Sequence, residues 1–173
     1  MTERAPVETT NLDRYGHSPL EWSRARDGLA ASPTRLDIPF FLGTAGRDGR
    51  PHAAGIGALW HEDYIYIVSG PGTRKSRNLA DNPACTISTR LEGLDLILEG
   101  EAERIVDAPT LEKVAGLYRA SGWPAEVERD AFTAPYSAPS AGPPPWYLYR
   151  FTFHTATGVA TAEPHGATRW RFV

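Results

Sequence analysis

From Phe40 onward the chain alternates short apolar runs with turn residues, the grammar of a mainly β protein. Phe40-Phe41-Leu42-Gly43-Thr44-Ala45 is a compact apolar run that leads into Arg47-Asp48-Gly49-Arg50. Asp-Gly there signals a hairpin, because glycine tolerates positive φ. The return strand, Pro51 to Trp60, is rich in small residues: Ala53, Ala54, Gly55, Gly57 and Ala58. Small side chains on a strand mark a close approach to its face, by another backbone or by a flat ligand. His61-Glu62-Asp63 turns the chain into Tyr64–Ser69, a further strand. Ala84–Arg90 and about Leu94–Val106 read as two more strands joined at Glu92-Gly93, and Trp146–His154, Gly158–Ala162 and Ala167–Val173 as three that close the chain.

Helical period appears in three places. Ser18-Pro19-Leu20-Glu21 has the form of a capping box, with a helix expected from there to about Ala31 and Leu20, Trp22 and Leu29 available for burial. A glycine-rich loop from Gly70 runs into a short helix that Pro83 stops. Asp107-Ala108-Pro109 opens a helix whose Leu111, Val114, Ala115 and Tyr118 share one face, and Gly122 ends it. Residues 1–17 are polar and without period, and read as a flexible tail ahead of one domain over 18–173. Residues 123–145, rich in Pro, Ala and Ser, read as a long irregular connection of the kind used as a lid or interface element, with Pro143-Pro144-Pro145 as a stiff linker. Several short strands with a few helices give the expected class, an α+β chain that is mainly β, built as a barrel with peripheral helices.

Composition narrows the partners. With 173 residues, 41% hydrophobic and 23% charged, the chain can bury a proper core. A net charge of −3 gives no electrostatic reason to expect nucleic acid or an anionic membrane. The single cysteine, Cys85, excludes an internal disulfide and cysteine-rich metal sites, and its place in an apolar strand predicts an inert buried thiol. The polar N-terminus and the absence of a long apolar run make the cytoplasm the expected compartment. Arginine outnumbers lysine heavily; the only two lysines are Lys75 and Lys113.

The segment richest in chemistry follows the Tyr64–Ser69 strand: Gly70-Pro71-Gly72-Thr73-Arg74-Lys75. A phosphate needs converging backbone amides and fixed cations. Here glycines let the chain turn, Thr73 offers a hydroxyl, Arg74 a forked guanidinium and Lys75 a compact ammonium, and the following helix start adds unpaired N–H groups. The bland alternative is a solvated basic turn. Other candidates are weaker. His52, His61, His154 and His165 lack metal-ligand spacing, although His52 and His61 bracket the small-residue strand within reach of a bound substrate. Glu99, Glu101 and Glu103 alternate as a solvated face, and Trp60, Tyr64, Tyr66 and Trp146 read as core, dimer contact or cleft lining.

Taken together, Phe40–Thr44, Asp48-Gly49-Arg50-Pro51-His52, Tyr64–Ser69, Thr73-Arg74-Lys75, Asn78-Leu79 with Asn82-Pro83, and the terminal Arg169-Trp170-Arg171-Phe172 resemble the pyridoxamine 5′-phosphate oxidase-like, FMN-binding split barrels. Within them the chain looks like the branch of flavin- and deazaflavin-(F420-)dependent oxidoreductases. The resemblance implies a split β-barrel and a homodimer with a cofactor, FMN or alternatively F420, at the subunit interface. It also implies that Thr73, Arg74 and Lys75 hold the phosphate and that Asn78 shapes the loop. Val68 and Ser69 would lie by the ribityl chain or ring edge, Ala54-Gly55-Ile56-Gly57 along the ring system, and Trp170 as a wall. The oxidase proper carries basic residues near Ala54 and near Leu59 that face phosphate; both positions are apolar here, which argues against vitamin B6 oxidation. Two functions are then expected to compete: a flavin-type oxidoreductase, and a non-catalytic protein that sequesters FMN, F420 or haem.

Overall fold

The alternation in the second half of the chain becomes long antiparallel strands. A computed structural model describes residues 4–31, 38–137 and 141–173. In β7 (Leu94–Ile105), Leu94, Leu96, Leu98, Gly100 and Ala102 are buried, while Ile97, Glu99, Glu101 and Glu103 between them face solvent. That is the period-two signature of a sheet with one dry face. β6 (Ala84–Leu91) pairs with it through the Glu92-Gly93 turn, Leu91 opposite Leu94, and Gly93 adopts a positive φ of 69°.

The two strands expected over Trp146–His154 and Gly158–Ala162 are one strand, β10 (Tyr147–Ala160). Nothing between them has the backbone of a turn; a bulge between Phe153 and Thr155 takes up the break in alternation instead. β10 is the hub. Its first half lies between β5 (Tyr64–Ser69) and β7, its second half between β11 (Ala167–Arg171) and β7. Changing neighbours midway is what splits the barrel. The sheet runs β1-β11-β10-β7-β6-β2-β3, with β2 Phe40–Ala45 and β3 Pro51–Ile56, and with β4 (Leu59–His61) hanging on β5. The expected single return strand, Pro51 to Trp60, therefore breaks at Gly57-Ala58: β3 stays with β2, and β4 crosses to β5.

The N-terminal segment is not the periodless tail that its sequence suggests. Glu8–Asn11 forms β1 on the edge of β11, through backbone bonds that need no apolar pattern. The next turn is built on one carboxylate: Asp13 accepts the backbone N–H groups of Tyr15 and His17 at 2.8 Å and the His17 Nδ1–H at 3.0 Å. The His17 ring bond is the chief reason the Asp13 carboxyl is held down at about 2. A depressed carboxylate stabilises the fold above its unfolded value and loses that contribution as it protonates. The Asp13 turn should therefore loosen as pH falls from about 4 to about 2, seen as a loss of amide protection at Tyr15 and His17 while the barrel strands stay protected.

The capping box does not form. The first helix, α1, spans Trp22–Ala30, and its N-cap, Glu21, makes no side-chain cap bond. Ser18–Glu21 stays extended because the Leu20 amide donates to Thr168 Oγ1 on β11 at 2.7 Å. Trp22, Ala25 and Leu29 still enter the barrel core with Leu20. α3 (Ala108–Ala120) buries Leu111, Val114, Ala115 and Tyr118, the face expected of it, with Asp107 as a true N-cap on the Thr110 amide. It builds a second core outside the barrel with Leu59, Tyr66, Ile105, Phe132, Trp146 and Leu148. The long connection is partly regular: β8 (Glu126–Glu128) and β9 (Ala131–Thr133) form a small hairpin, and Phe132 bridges to Trp146; its residues 138–140 lie outside the described residues.

Cys85 is buried, and burial pushes its thiol up to about 12. Glu99, Glu101 and Glu103 are solvent-exposed, and Asp95 pairs with Arg90 across the β6–β7 turn at 2.5 and 2.8 Å. Among the described residues, no helix is long and apolar enough to cross a membrane, and no group of three or more His, Cys, Asp or Glu side chains could hold a metal ion.

Candidate functional site

The turn after β5 leads into α2 (Arg74–Asp81), with Thr73 as its N-cap. Thr73 Oγ1 accepts the Ser76 amide at 3.2 Å, lies 2.9 Å from the Gly70 carbonyl and 2.7 Å from Ser69 Oγ, and the Thr73 amide donates to Gly70 O. Its hydroxyl therefore shapes the turn first. Thr73→Ala should lower the unfolding free energy by about 1 kcal/mol, the usual worth of a cap, as read from urea melts.

The two cations that follow differ. Arg74 is exposed beside the turn, whereas Lys75 is only 5% exposed and points inward with Ser76, Asn78 and Leu79. Burial lowers the Lys75 pKa. Asn78 Nδ2 donates to Thr44 Oγ1 at 3.0 Å, which pins α2 to β2. From the other side Arg47 grips Asp81 with two bonds of 2.7 Å, drawing the β2–β3 hairpin against the helix. Arg77 folds back onto the Gly72 carbonyl. Arg47, Arg50, Arg74, Lys75 and Arg77 thus stand at one corner against Asp48 and Asp81, a basic corner on a chain of net charge −3.

β3 is an edge strand beside this corner. The structure divides its expected ligand-facing residues between two faces. Ala54 and Ile56 lie opposite Leu42 and Phe40 and are half-buried on the barrel side, while Gly55 and Gly57 are exposed. Strand period allows nothing else. Val68 and Ser69 likewise part company: Val68 packs against the second core, and Ser69 is buried on the Thr73 side. Trp170 is a correction. It is 1% exposed, ring to ring with Trp22 at 5.5 Å, so it belongs to the barrel core and not to a cleft wall. The alternation Arg169-Trp170-Arg171-Phe172 already puts Trp170 and Phe172 on one face; that face is the inner one.

Three glycines stand out by having no internal reason. At Gly55, Gly57 and Gly72 the backbone is outside the positive-φ region, and an added Cβ would meet nothing within 4 Å. Gly70 is the opposite case. Its Cβ would collide with the Ala141 carbonyl oxygen, to which its own amide donates at 2.8 Å. That contact is invisible in the sequence, which holds no signal that residue 141 returns to residue 70. The other unexpected feature is His52 on β3, opposite Thr44: its Nδ1 is buried without a hydrogen-bond partner. His61 Nε2 is likewise buried without a hydrogen-bond partner, 3.4 Å from Glu62, whose carboxyl is held below its usual range mainly by Lys113.

Cavities of about 880 and 420 Å³ lie elsewhere, around His17 and His165 at the α1 end, and touch neither β3 nor the turn. They are open depressions, and Arg24, the cation in the larger one, is already bonded to the carbonyls of Gly93, Ala162 and Pro164. The convergence of donors, cations and open glycine faces is the stronger pointer to a ligand. A protein-family profile described as pyridoxamine 5′-phosphate oxidase matches residues 35–159. The chain belongs to the pyridoxamine 5′-phosphate oxidase-like family. That match spans the small-residue strand, the turn, α2 and most of β10, so the basic corner is part of the family's region of the chain.

Solved structures agree on the fold. A pyridoxamine 5′-phosphate oxidase-related, FMN-binding protein from Nostoc punctiforme superposes with TM-score 0.56 at 13% identity, over 88% of this chain and 91% of that one. The haem-binding protein of Mycobacterium smegmatis gives 0.57 at 14% identity, over 87% and 58%. General stress protein 26 of Bacillus anthracis gives 0.51 at 14% identity, over 78% and 93%. No curated protein matches the chain. At these identities the likeness is one of fold, and it establishes the mainly β split barrel with three helices.

Proposed function

We propose that this chain is a redox protein that binds FMN, or alternatively F420, by its phosphate, with two copies of the chain completing each site. The observation that carries the reading is the set of open glycines: Gly72 in the turn before Arg74, and Gly55 and Gly57 on the edge strand whose hairpin is tied to α2 through Asn78–Thr44 and Arg47–Asp81. Glycine in a strand costs about 0.5–1 kcal/mol against a side chain that fits, and here the chain itself has no use for it. A flat group lying on β3 with its anionic end at the turn would use all three.

The chain's own residues then have distinct tasks. Arg74, with the first-turn amides of α2, would bind the anion; Lys75 would add positive potential from behind; Thr73, Ser69 and Asn78 would hold the turn in shape. Gly55 and Gly57 would bear the ring, and half-buried Ala54 and Ile56 would back the strand from the barrel side. His52 lies on the barrel side of β3 with Ala54 and Ile56, so it has no part in the glycine face. A bound flavin or deazaflavin supplies the redox chemistry itself, so the protein need only bind, orient and exclude water.

The dimer is supported by the outer sheet face. Phe41, Ile97 and Val159 are each 48% exposed, and Gly55, Phe41, Ser88 and Ile97 fall in one register row across β3, β2, β6 and β7. A copy docked there would cover apolar surface and close the open side of the glycine strand. Pyridoxamine phosphate is not the proposed substrate. Ala54 carries no charge, and Leu59 is buried in the second core where a basic side chain could not meet a phosphate.

The test is the absorption spectrum and mass of whatever co-purifies, followed by titration with FMN and F420. The reduced, loaded protein is then offered a panel of electron acceptors. Reoxidation faster than that of free cofactor makes it an oxidoreductase. Tight binding without acceleration makes it a sequestering protein, and failure to bind either molecule removes the reading.

A further inference from the structure

The Gly70 amide is held by the second core. Ala141 is 1% exposed, and its carbonyl accepts the Gly70 N–H at 2.8 Å. One residue on, the Gly142 carbonyl accepts Trp146 Nε1–H at 2.8 Å. Trp146 is wholly buried, exchanges two backbone bonds of 2.7 and 2.8 Å with Phe132, and packs its ring 5.4 Å from that of Trp123. An unbroken path of bonds and packed rings therefore runs from the α3 core to the first residue of the basic turn. The glycine at 70 is explained by this path: its φ is outside the positive region, and the Ala141 carbonyl is what excludes a side chain.

We propose that Ala141 and Trp146 are positioning residues for the basic turn, so that anion binding at 70–75 and packing of the second core are coupled. The inference rests on the reading that the turn binds an anion. In it the Ala141 carbonyl sets where the turn leaves β5, and hence where Thr73 caps α2 and Arg74 stands. Coupling of this kind is reciprocal: a ligand that tightens the turn must tighten the Ala141–Trp146 segment equally. Neither residue touches the ligand.

The test combines FMN titration with amide exchange on the full chain, in wild type, Gly70→Ala and Trp146→Phe. Gly70→Ala pushes the Ala141 carbonyl away; Trp146→Phe keeps a buried ring but removes the donor to Gly142 and part of the packing against Trp123. In wild type, FMN should slow exchange at Gly70 and also at Phe132 and Trp146. Gly70→Ala should bind FMN about tenfold more weakly and lose the protection at Phe132 and Trp146, and Trp146→Phe should bind about threefold more weakly. FMN affinity unchanged in both variants overturns the proposal, as does wild-type protection confined to Gly70. Should one variant fail to fold, the other and the wild-type exchange pattern still decide. If the wild type binds neither FMN nor F420 nor inorganic pyrophosphate, the anion reading itself has failed and this inference falls with it.

Discussion

Gly55→Val should melt higher than the natural protein and yet bind FMN on the order of a hundredfold more weakly. The two effects have opposite signs because they arise on different sides of the strand. Within the chain, valine is the better β residue: it removes backbone freedom from the unfolded state and its Cβ meets nothing within 4 Å when folded, a gain of about 0.5–1 kcal/mol. Toward a ligand, the same branched side chain occupies the plane on which the ring is proposed to lie. Scanning fluorimetry and an FMN titration read the two effects separately. A variant that is stabilised but binds FMN normally would move the ring off β3. Loss of dimer with unchanged FMN affinity would reassign the glycine face to subunit contact.

Arg74→Ala is expected to separate phosphate binding from ring binding. Arg74 is exposed, so its removal should leave the melt nearly unchanged. A guanidinium–phosphate pair is charge-assisted and can be bidentate, about 1.5–3 kcal/mol per bond. Loss of FMN affinity should thus be about a hundredfold, while riboflavin, which lacks the phosphate, should bind wild type and variant alike. Added salt should narrow the gap between FMN and riboflavin in wild type. Lys75→Ala should behave differently, because Lys75 is buried: it should lower both the melting point and FMN affinity. Equal riboflavin and FMN affinities in wild type would remove the phosphate from the account.

What was legible in the sequence was what short-range chemistry decides. Tyr64–Ser69, the helix over Arg74–Asp81 ahead of Pro83, the Glu92-Gly93 turn and the buried face of α3 all rest on local periodicity or a turn residue, and all form. The failures share a cause in contacts from distant parts of the chain. Ser18 has the chemistry of a cap, but Thr168 takes the Leu20 amide from across the sheet and delays the helix. Glu8–Asn11 has no pattern, since an edge strand is held by backbone alone. β10 passes through the expected break because both of its neighbours keep it extended.

At the candidate site the same division holds. The basic turn was visible as composition, but not that Lys75 faces inward, that Thr73 serves its own turn, or that Ala141 returns to Gly70. The sequence motif also placed Ala54, Gly55, Ile56 and Gly57 together, where the pleat puts only the glycines on the open face. Trp170 lay in a recognisable motif and is core all the same, because its face of β11 meets Trp22.

The most direct test is a structure of the protein grown with FMN and, separately, with F420. The phosphate of one of them is expected at the Gly72–Arg74 turn and its ring system flat against Gly55 and Gly57, with a second copy of the chain closing the other side. A ligand seated elsewhere, or a subunit contact that buries those glycines against protein and leaves the turn empty, would contradict that arrangement.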